Sequence, residues 1–271
     1  MKTVLVTVSD DRFGRKGGVY EQTQGKIEKI CSQLPIEQAH YNIRDILQQF
    51  DHPFLQEKDP ARNGRLYKPY VIAMELLKLN HGDFLIYNDC GPDIWNMNED
   101  YEIDPGMSIE KIKALAVSNR DLLVGFVKWS PDDFKENKLG IHTHNYFTLE
   151  PCLKIMQAEK YRHSFQCASG MICMKKTVQN IDIVDEWFYW NQKAEAACIG
   201  YPEIPGDETF WNEREEFKLG IRHDQSILSI LLNRRNFDFC DIVYNDISPY
   251  NFLNFCWKDH DYKFINSNIN L

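Results

Sequence analysis

Residues 64–91 read GRLYKPYVIAMELLKLNHGDFLIYNDCG, and their pattern decides the fold class. Pro69 sits where a helix begins, since its fixed φ and missing N–H cost little in a first turn. Ile72, Leu76 and Leu79 then recur on one face while Glu75 and Lys78 face away, the period of a helix packed against a core. His81-Gly82 ends it. The next residues, Asp83 to Tyr87 (DFLIY), form a short apolar run of strand length that stops at the polar elbow Asn88-Asp89-Cys90-Gly91. A helix, a buried strand and a polar elbow in succession are the unit of α/β folds, whose ligands gather at the carboxyl ends of the strands.

Working outward, the same grammar recurs. TVLVTVSDD, from Thr3, starts as an apolar strand over Val4 to Val8 and ends in polar residues. Lys26 to Leu34 reads as a helix closed by Pro35. Ser108 is placed to cap a helix with Glu110 in its first turn and Ile109, Ile112 and Leu115 inward. Strands are expected over Leu122–Val127 and Met171–Met174, and an amphipathic helix over Val178–Trp190 with Ile181, Val184 and Trp187 toward the core. Residues 200–220, with two prolines and several charges, read as a long loop forming a site wall. Asp224 stands directly before an apolar helix, Ser226–Leu232, as an N-cap. No repeat or linker divides the chain. The expectation is one Rossmann-like α/β domain over residues 1–271, with a mixed, mostly parallel sheet flanked by helices and 233–271 as a C-terminal flank.

Composition narrows the function. Of 271 residues 43% are hydrophobic and 26% charged, the balance of a globular protein able to bury a core. A net charge of -9 repels nucleic-acid phosphates, so no nucleic-acid partner is expected, although a small anionic ligand needs only a local cationic cluster. The 8 cysteines form no C-x-x-C pair, which argues against structural zinc and for free thiols in a reducing compartment. The Val4–Val8 run is too short for a signal-peptide core, and no apolar stretch approaches the roughly 20 residues of a membrane span. A soluble, cytoplasmic protein is expected, with at most peripheral membrane contact.

Four polar elements border strand ends or helix starts: Ser9–Arg12, Arg65–Lys68, Asn88–Gly91 and Arg222–Gln225. In a parallel sheet they converge on one edge. Each has a plain structural reading too: Asp89 as a turn residue before Gly91, Lys68 as a solvated side chain, Asp224 as a cap. A lone cation at a helix start opposes the helix dipole, so Lys68 asks for a nearby anion. His142 and His144, two apart, would share one side of a strand at metal-ligand spacing, against the plainer reading of structural imidazoles. Tyr250, Phe252, Phe255, Trp257 and Tyr262 read as core or flank rather than as a sugar-stacking surface.

Residues 64–91 resemble the segment of GT-A nucleotide-diphospho-sugar glycosyltransferases in which a Lys-Pro-led helix precedes a strand ending in a DxD-like element, here in a Tyr-x-Asp-x-Gly form. QCASGMICMKKT (166–177) is similar to that branch's strand bordering the donor sugar, and VDEWFYW (184–190) to its following helix. RHDQSILSILL (222–232) is similar to the His-Asp-Gln-Ser motif near the end of the catalytic domain of these polysaccharide-type transferases. The matches occur in the expected order.

The resemblance implies a hexosyltransferase that moves a sugar from a UDP- or GDP-sugar donor to a glycan or other hydroxyl acceptor. Carried over, it places Ser9 and Asp10 by the nucleoside, Lys68 by the diphosphate and Asp89 at the ribose or a metal shell; the charge on the leaving diphosphate makes Arg65 or Arg12 a candidate companion of Lys68. Ser169 and Gly170 would border the sugar, with Asp224 and Gln225 as the catalytic pair beneath it. It also implies a manganese or magnesium ion on Asp89, but Gly91 stands where a second carboxylate is usual, leaving Asp93, His223 and His260 as further ligand candidates. Inversion and retention are both open. The rival readings are a metal-dependent hydrolase or nucleotidyltransferase built on Asp89, His142 and His144, and a GT-A-like domain that binds a nucleotide sugar or glycan without turnover.

Overall fold

A computed structural model describes residues 2–10, 12, 19–32, 34, 36–57, 63–90, 121–126, 143–199, 223–240 and 264–266. Strand β1, Thr3–Ser9, is buried along its whole length, as a continuous apolar run requires when both faces of a sheet are covered. It lies between β2 (Glu37–Asn42) and β3 (Phe84–Asp89) and runs parallel to both. With β4 (Leu122–Phe126), β5 (Cys167–Lys175), β6 (Asp238–Cys240) and β7 (Phe264–Asn266), the sheet order is β2-β1-β3-β5-β4-β6-β7.

The sheet is mixed and mostly parallel, as expected: β1, β2, β3, β4 and β6 run one way, and β5 and β7 the other. β4 and β6 pair parallel, but β5 runs antiparallel to both β3 and β4, and β7 antiparallel to β6. The reversal of β5 matters for the site. Because Met171 of β5 pairs with Asn88, the start of β5, with Ser169 and Gly170, lies beside the carboxyl end of β3.

Helix α1, Val19–Cys31, begins ahead of the expected Lys26 because Thr23, Ile27 and Cys31, each four apart, make its buried stripe. Short helices α2 (Ile43–Gln49) and α3 (Pro53–Gln56) follow β2. Helix α4, Tyr67–Lys78, carries Pro69 in its first turn and buries Tyr67, Lys68, Val71, Ile72 and Leu76. Glu75 does not face away from the core as expected. It is buried, accepting a hydrogen bond from the Tyr41 hydroxyl and pairing with Lys78 at 2.6 Å, which satisfies its charge.

After β4 come α5 (His144–Phe147) and α6 (Glu150–Ile155). Helix α7, Val178–Asn191, is capped by the Thr177 hydroxyl and buries Asn180, Ile183, Val184, Trp187 and Asn191, so Ile183 takes the inward place expected of Ile181. Helix α8 is Ala194–Ala197, and α9 is His223–Arg234. α9 is buried along nearly all its length, against α7 and β5. The expected Ser108 helix, the 200–220 loop, His142 and the aromatic group at 250–262 lie outside the described residues.

Cys31, Cys90, Cys152, Cys167, Cys173 and Cys198 are buried free thiols, in line with their reading as small hydrophobes. No described helix is long and apolar enough to cross a membrane.

Candidate functional site

Lys68 is the centre of the arrangement. It enters on the first turn of α4 and its ammonium lies 3.0 Å from Asp224 Oδ2 and 3.1 Å from Asp89 Oδ2, with side-chain exposures of 2%, 2% and 17%. It also donates to Ser169, at 3.3 Å to Oγ and 3.4 Å to the carbonyl. Burial works against the ammonium, but Asp224 and Asp89 outweigh it and hold Lys68 above its ordinary pKa. The lone cation at a helix start has its anions. An ammonium has three N–H donors. Asp89, Asp224 and Ser169 engage them, so contact with a diphosphate requires one of these partners to be released.

The two carboxylates are held from different parts of the chain. Asp89 ends β3, where its Oδ1 accepts from the Tyr87 hydroxyl at 2.7 Å. Burial, then the Asp89 charge, pushes the Tyr87 phenol well up, so it stays a donor. Tyr67 is also wholly buried and kept protonated, by burial first and, against an opposing pull from Arg65, by the charges of Asp89, Asp10 and Asp224. Asp224 is the second residue of α9, not its cap: its Oδ2 takes the Ser169 hydroxyl at 3.0 Å as well as Lys68. The N-cap expectation is thereby corrected, because α9 starts one residue earlier, at His223, whose φ is 31°. The Trp187 indole N–H donates to the Asp224 carbonyl at 2.9 Å and ties this turn to α7.

A loop with positive φ delivers Lys68. Gly64 (φ 56°) and Arg65 (φ 53°) are both left-handed, and the Asn63 side chain accepts from Arg65 N at 2.8 Å. A Cβ on Gly64 would lie 3.0 Å from Ile199 Cδ1, so both the turn and the packing call for glycine.

Of the other expected residues, Asp10 and Arg12 bind each other. Arg12 Nε and Nη2 donate to the two Asp10 oxygens at 2.9 and 2.8 Å, while Nη1 donates to Leu55 O of α3 at 2.6 Å. Ser9 is buried at the end of β1, its hydroxyl 3.4 Å from Tyr41 O. Gly170 follows Ser169 on β5. Gln225 donates to Gln166 at 3.2 Å. His223 is fully buried, with Nδ1 2.8 Å from Ala197 O of α8.

His144 is not on a strand but opens α5, wholly buried between Thr148 Oγ1 and Asn233 Oδ1, each at 2.8 Å. Burial lowers its pKa to about 4. Among the described residues it is a structural imidazole, which removes it from the metal-dependent reading.

The described residues do not fit a divalent cation. Among them no group of three or more His, Cys, Asp or Glu side chains could hold one, and an ammonium already bridges Asp89 and Asp224. Asp93 and His260 lie outside the described residues.

Sequence reasoning missed Tyr87, Trp187 and Gln166. Tyr87 was accessible to it, since residues two apart on a strand share a face and Tyr87 stands two before Asp89. Trp187 read as core, which it is, and its indole N–H gave no separate signal.

No protein family and no curated protein matches the chain in sequence. Among solved structures the chain is similar to a glycosyltransferase involved in the glycosylation of the major capsid of PBCV-1, with 10% identity and a TM-score of 0.35 over 72% of this chain and 68% of that one.

Proposed function

We propose that the protein is a glycosyltransferase that moves a sugar from a nucleoside-diphosphate donor, a UDP- or GDP-sugar, to a hydroxyl acceptor. The observation that carries this reading is the joining of Asp89, at the carboxyl end of a parallel strand, to Asp224, in the first turn of a buried helix, by the Lys68 ammonium. Lys68 and Asp89 come from the 64–91 stretch and Asp224 from the 222–232 stretch, two of the segments on which the sequence resemblance rests.

Sugar transfer breaks the bond between the anomeric carbon and the phosphate oxygen. Positive charge grows on the ring and negative charge on the leaving diphosphate, and preorganised groups that meet both lower the barrier. In this reading Asp224 faces the ring, as base toward the acceptor hydroxyl or as a counter-charge to the oxocarbenium-like centre. Lys68 holds Asp224 and Asp89 in place and reaches the leaving group only by releasing one of them. Arg65, at the start of α4, brings charge to the diphosphate, Ser9 and the Asp10–Arg12 pair border the nucleoside, and Ser169 and Gly170 border the sugar.

The test is a panel of UDP- and GDP-sugars, with the free nucleotides and ATP beside them, read by thermal shift and by release of nucleoside diphosphate. A ligand at 100 times its Kd adds about 2.7 kcal/mol to stability, a rise of several degrees in Tm for a chain of this size. A nucleotide sugar should bind and be cleaved faster with a glycan acceptor, and Asp224→Asn should abolish cleavage while binding persists. Cleavage of ATP in preference to any nucleotide sugar, or no shift by any member, sinks the proposal. Binding without cleavage under all conditions would leave a nucleotide-sugar-binding domain in its place.

A further inference from the structure

Behind Gln225 runs a buried chain of hydrogen bonds whose direction is set by two backbone carbonyls. The Gln225 amide nitrogen donates to Gln166 Oε1 at 3.2 Å. Gln166 is fully buried, and its own amide nitrogen faces Thr148 Oγ1 at 2.7 Å, Ser226 Oγ at 3.1 Å and Phe147 O at 3.2 Å. A backbone carbonyl only accepts, so the NH2 end of Gln166 is the end turned to Phe147, and its carbonyl end is the one turned to Gln225.

The far end is fixed in the same way. The Asn233 amide nitrogen donates to Phe165 O at 3.3 Å, which leaves Asn233 Oδ1 to accept from His144 Nε2 at 2.8 Å. His144 Nδ1 is then an acceptor and takes the Thr148 hydroxyl hydrogen at 2.8 Å, while the Thr148 oxygen accepts from Gln166. Every group has one consistent assignment, and the imidazole is the neutral Nε2–H tautomer. Burial holds His144 in that neutral form by lowering its pKa to about 4, against a smaller opposite effect of the Asn233 bond.

The consequence falls on Gln225, the neighbour of Asp224. With its NH2 end committed to Gln166, its carbonyl oxygen is the other branch of the amide, and that oxygen accepts no hydrogen bond from the described residues. We infer that Gln166, oriented by Thr148 and His144, is a positioning residue that presents the Gln225 carbonyl oxygen to the site, so that the site recognises a hydroxyl of the donor sugar as a hydrogen-bond donor at this position. The ligand in this statement rests on the transferase reading; the relay itself does not.

Two sets of measurements separate the parts. In the ligand-free full chain, side-chain 15N NMR should show His144 as the Nε2–H tautomer and one slowly exchanging Gln225 amide proton, which Gln166→Met should make fast. The Nδ1–H tautomer in the wild-type protein overturns the relay, and this reading needs no variant to fold. Unchanged Gln225 protection in a folded Gln166→Met protein overturns it equally. For the ligand, UDP-glucose, GDP-mannose, UDP and GDP are titrated into wild type and Gln225→Met. The sugar nucleotide that binds should lose about threefold to tenfold in affinity, the range of a neutral hydrogen bond, while its free diphosphate binds both proteins alike. Equal loss for both, or none for either, overturns the hydroxyl assignment. If none of the four binds wild type, the transferase reading fails instead, and the NMR result still decides the relay.

Discussion

Replacing Lys68 by Met keeps most of the side-chain volume and removes the ammonium that joins Asp89 to Asp224. Deleting one partner of a buried ion pair costs about 3–5 kcal/mol, because the remaining charge stays buried without compensation. Here two carboxylates are left, 17% and 2% exposed in their side chains, so the cost should fall mostly on Asp224. For a domain of 150–250 residues each kcal/mol lowers Tm by about 2–4 °C, which puts the expected drop at about 6–20 °C. The second substitution Asp224→Asn should return a large share, since it removes the more deeply buried stranded charge. The double variant should therefore be more stable than Lys68→Met alone, with a coupling energy at the upper end of the roughly 0.5–3 kcal/mol seen for residues in contact. The assay is urea unfolding of wild type, both single variants and the double at pH 7. Because Lys68 is raised in the folded protein, its contribution is complete below the unfolded lysine value of about 10.4 and is lost only as pH rises through the folded one. The wild-type advantage should accordingly be flat across neutral pH and shrink in strong alkali. A drop under about 2 °C for Lys68→Met, or strictly additive penalties, would refute the argument that the ammonium bridges the two carboxylates.

His144 makes the acid limb. Its folded pKa is about 4, below the unfolded value of about 6.5, so its contribution is present above that value and is lost as pH falls toward 4, by about 2 kcal/mol at pH 5. His144→Gln should be less stable at pH 7 but lose less between pH 7 and pH 5, and equal slopes in chemical denaturation would contradict this. Gly64→Ala places a Cβ in a left-handed turn and 3.0 Å from Ile199 Cδ1; a loss of about 1–3 kcal/mol is expected in the same assay, and a neutral result would mean the turn is not held as described. Manganese alone, added to protein stripped of metal, should leave Tm unchanged if the described residues are the whole of the site; a clear rise would mean that side chains beyond them, such as Asp93 or His260, complete a ligand set with Asp89.

Much of the architecture was legible because it is written in local periodicity. Val4–Val8, the helix and the strand of the 64–91 unit and the apolar stretch after Asp224 each carry their element in a short local window, and their order predicted an α/β sheet. The residues at the elbows were legible for a related reason: a polar side chain just past an apolar run has to emerge at a strand end or a helix start, and Lys68, Asp89 and Asp224 all do. Pairing direction was not legible, because a buried apolar run such as MICM looks the same whether its neighbours are parallel or antiparallel. Only the tertiary fold decided that β5 runs against β3, and with it that Ser169 meets Lys68 across 101 residues of chain. Partnership likewise belongs to three dimensions. The sequence showed that Lys68 needed an anion but not that it had two, and it could not show that Asp10 and Arg12 bind each other. Nor could it tell the buried imidazole of His144 from a metal ligand, since that depends on Asn233, which is 89 residues away along the chain and 2.8 Å away in space.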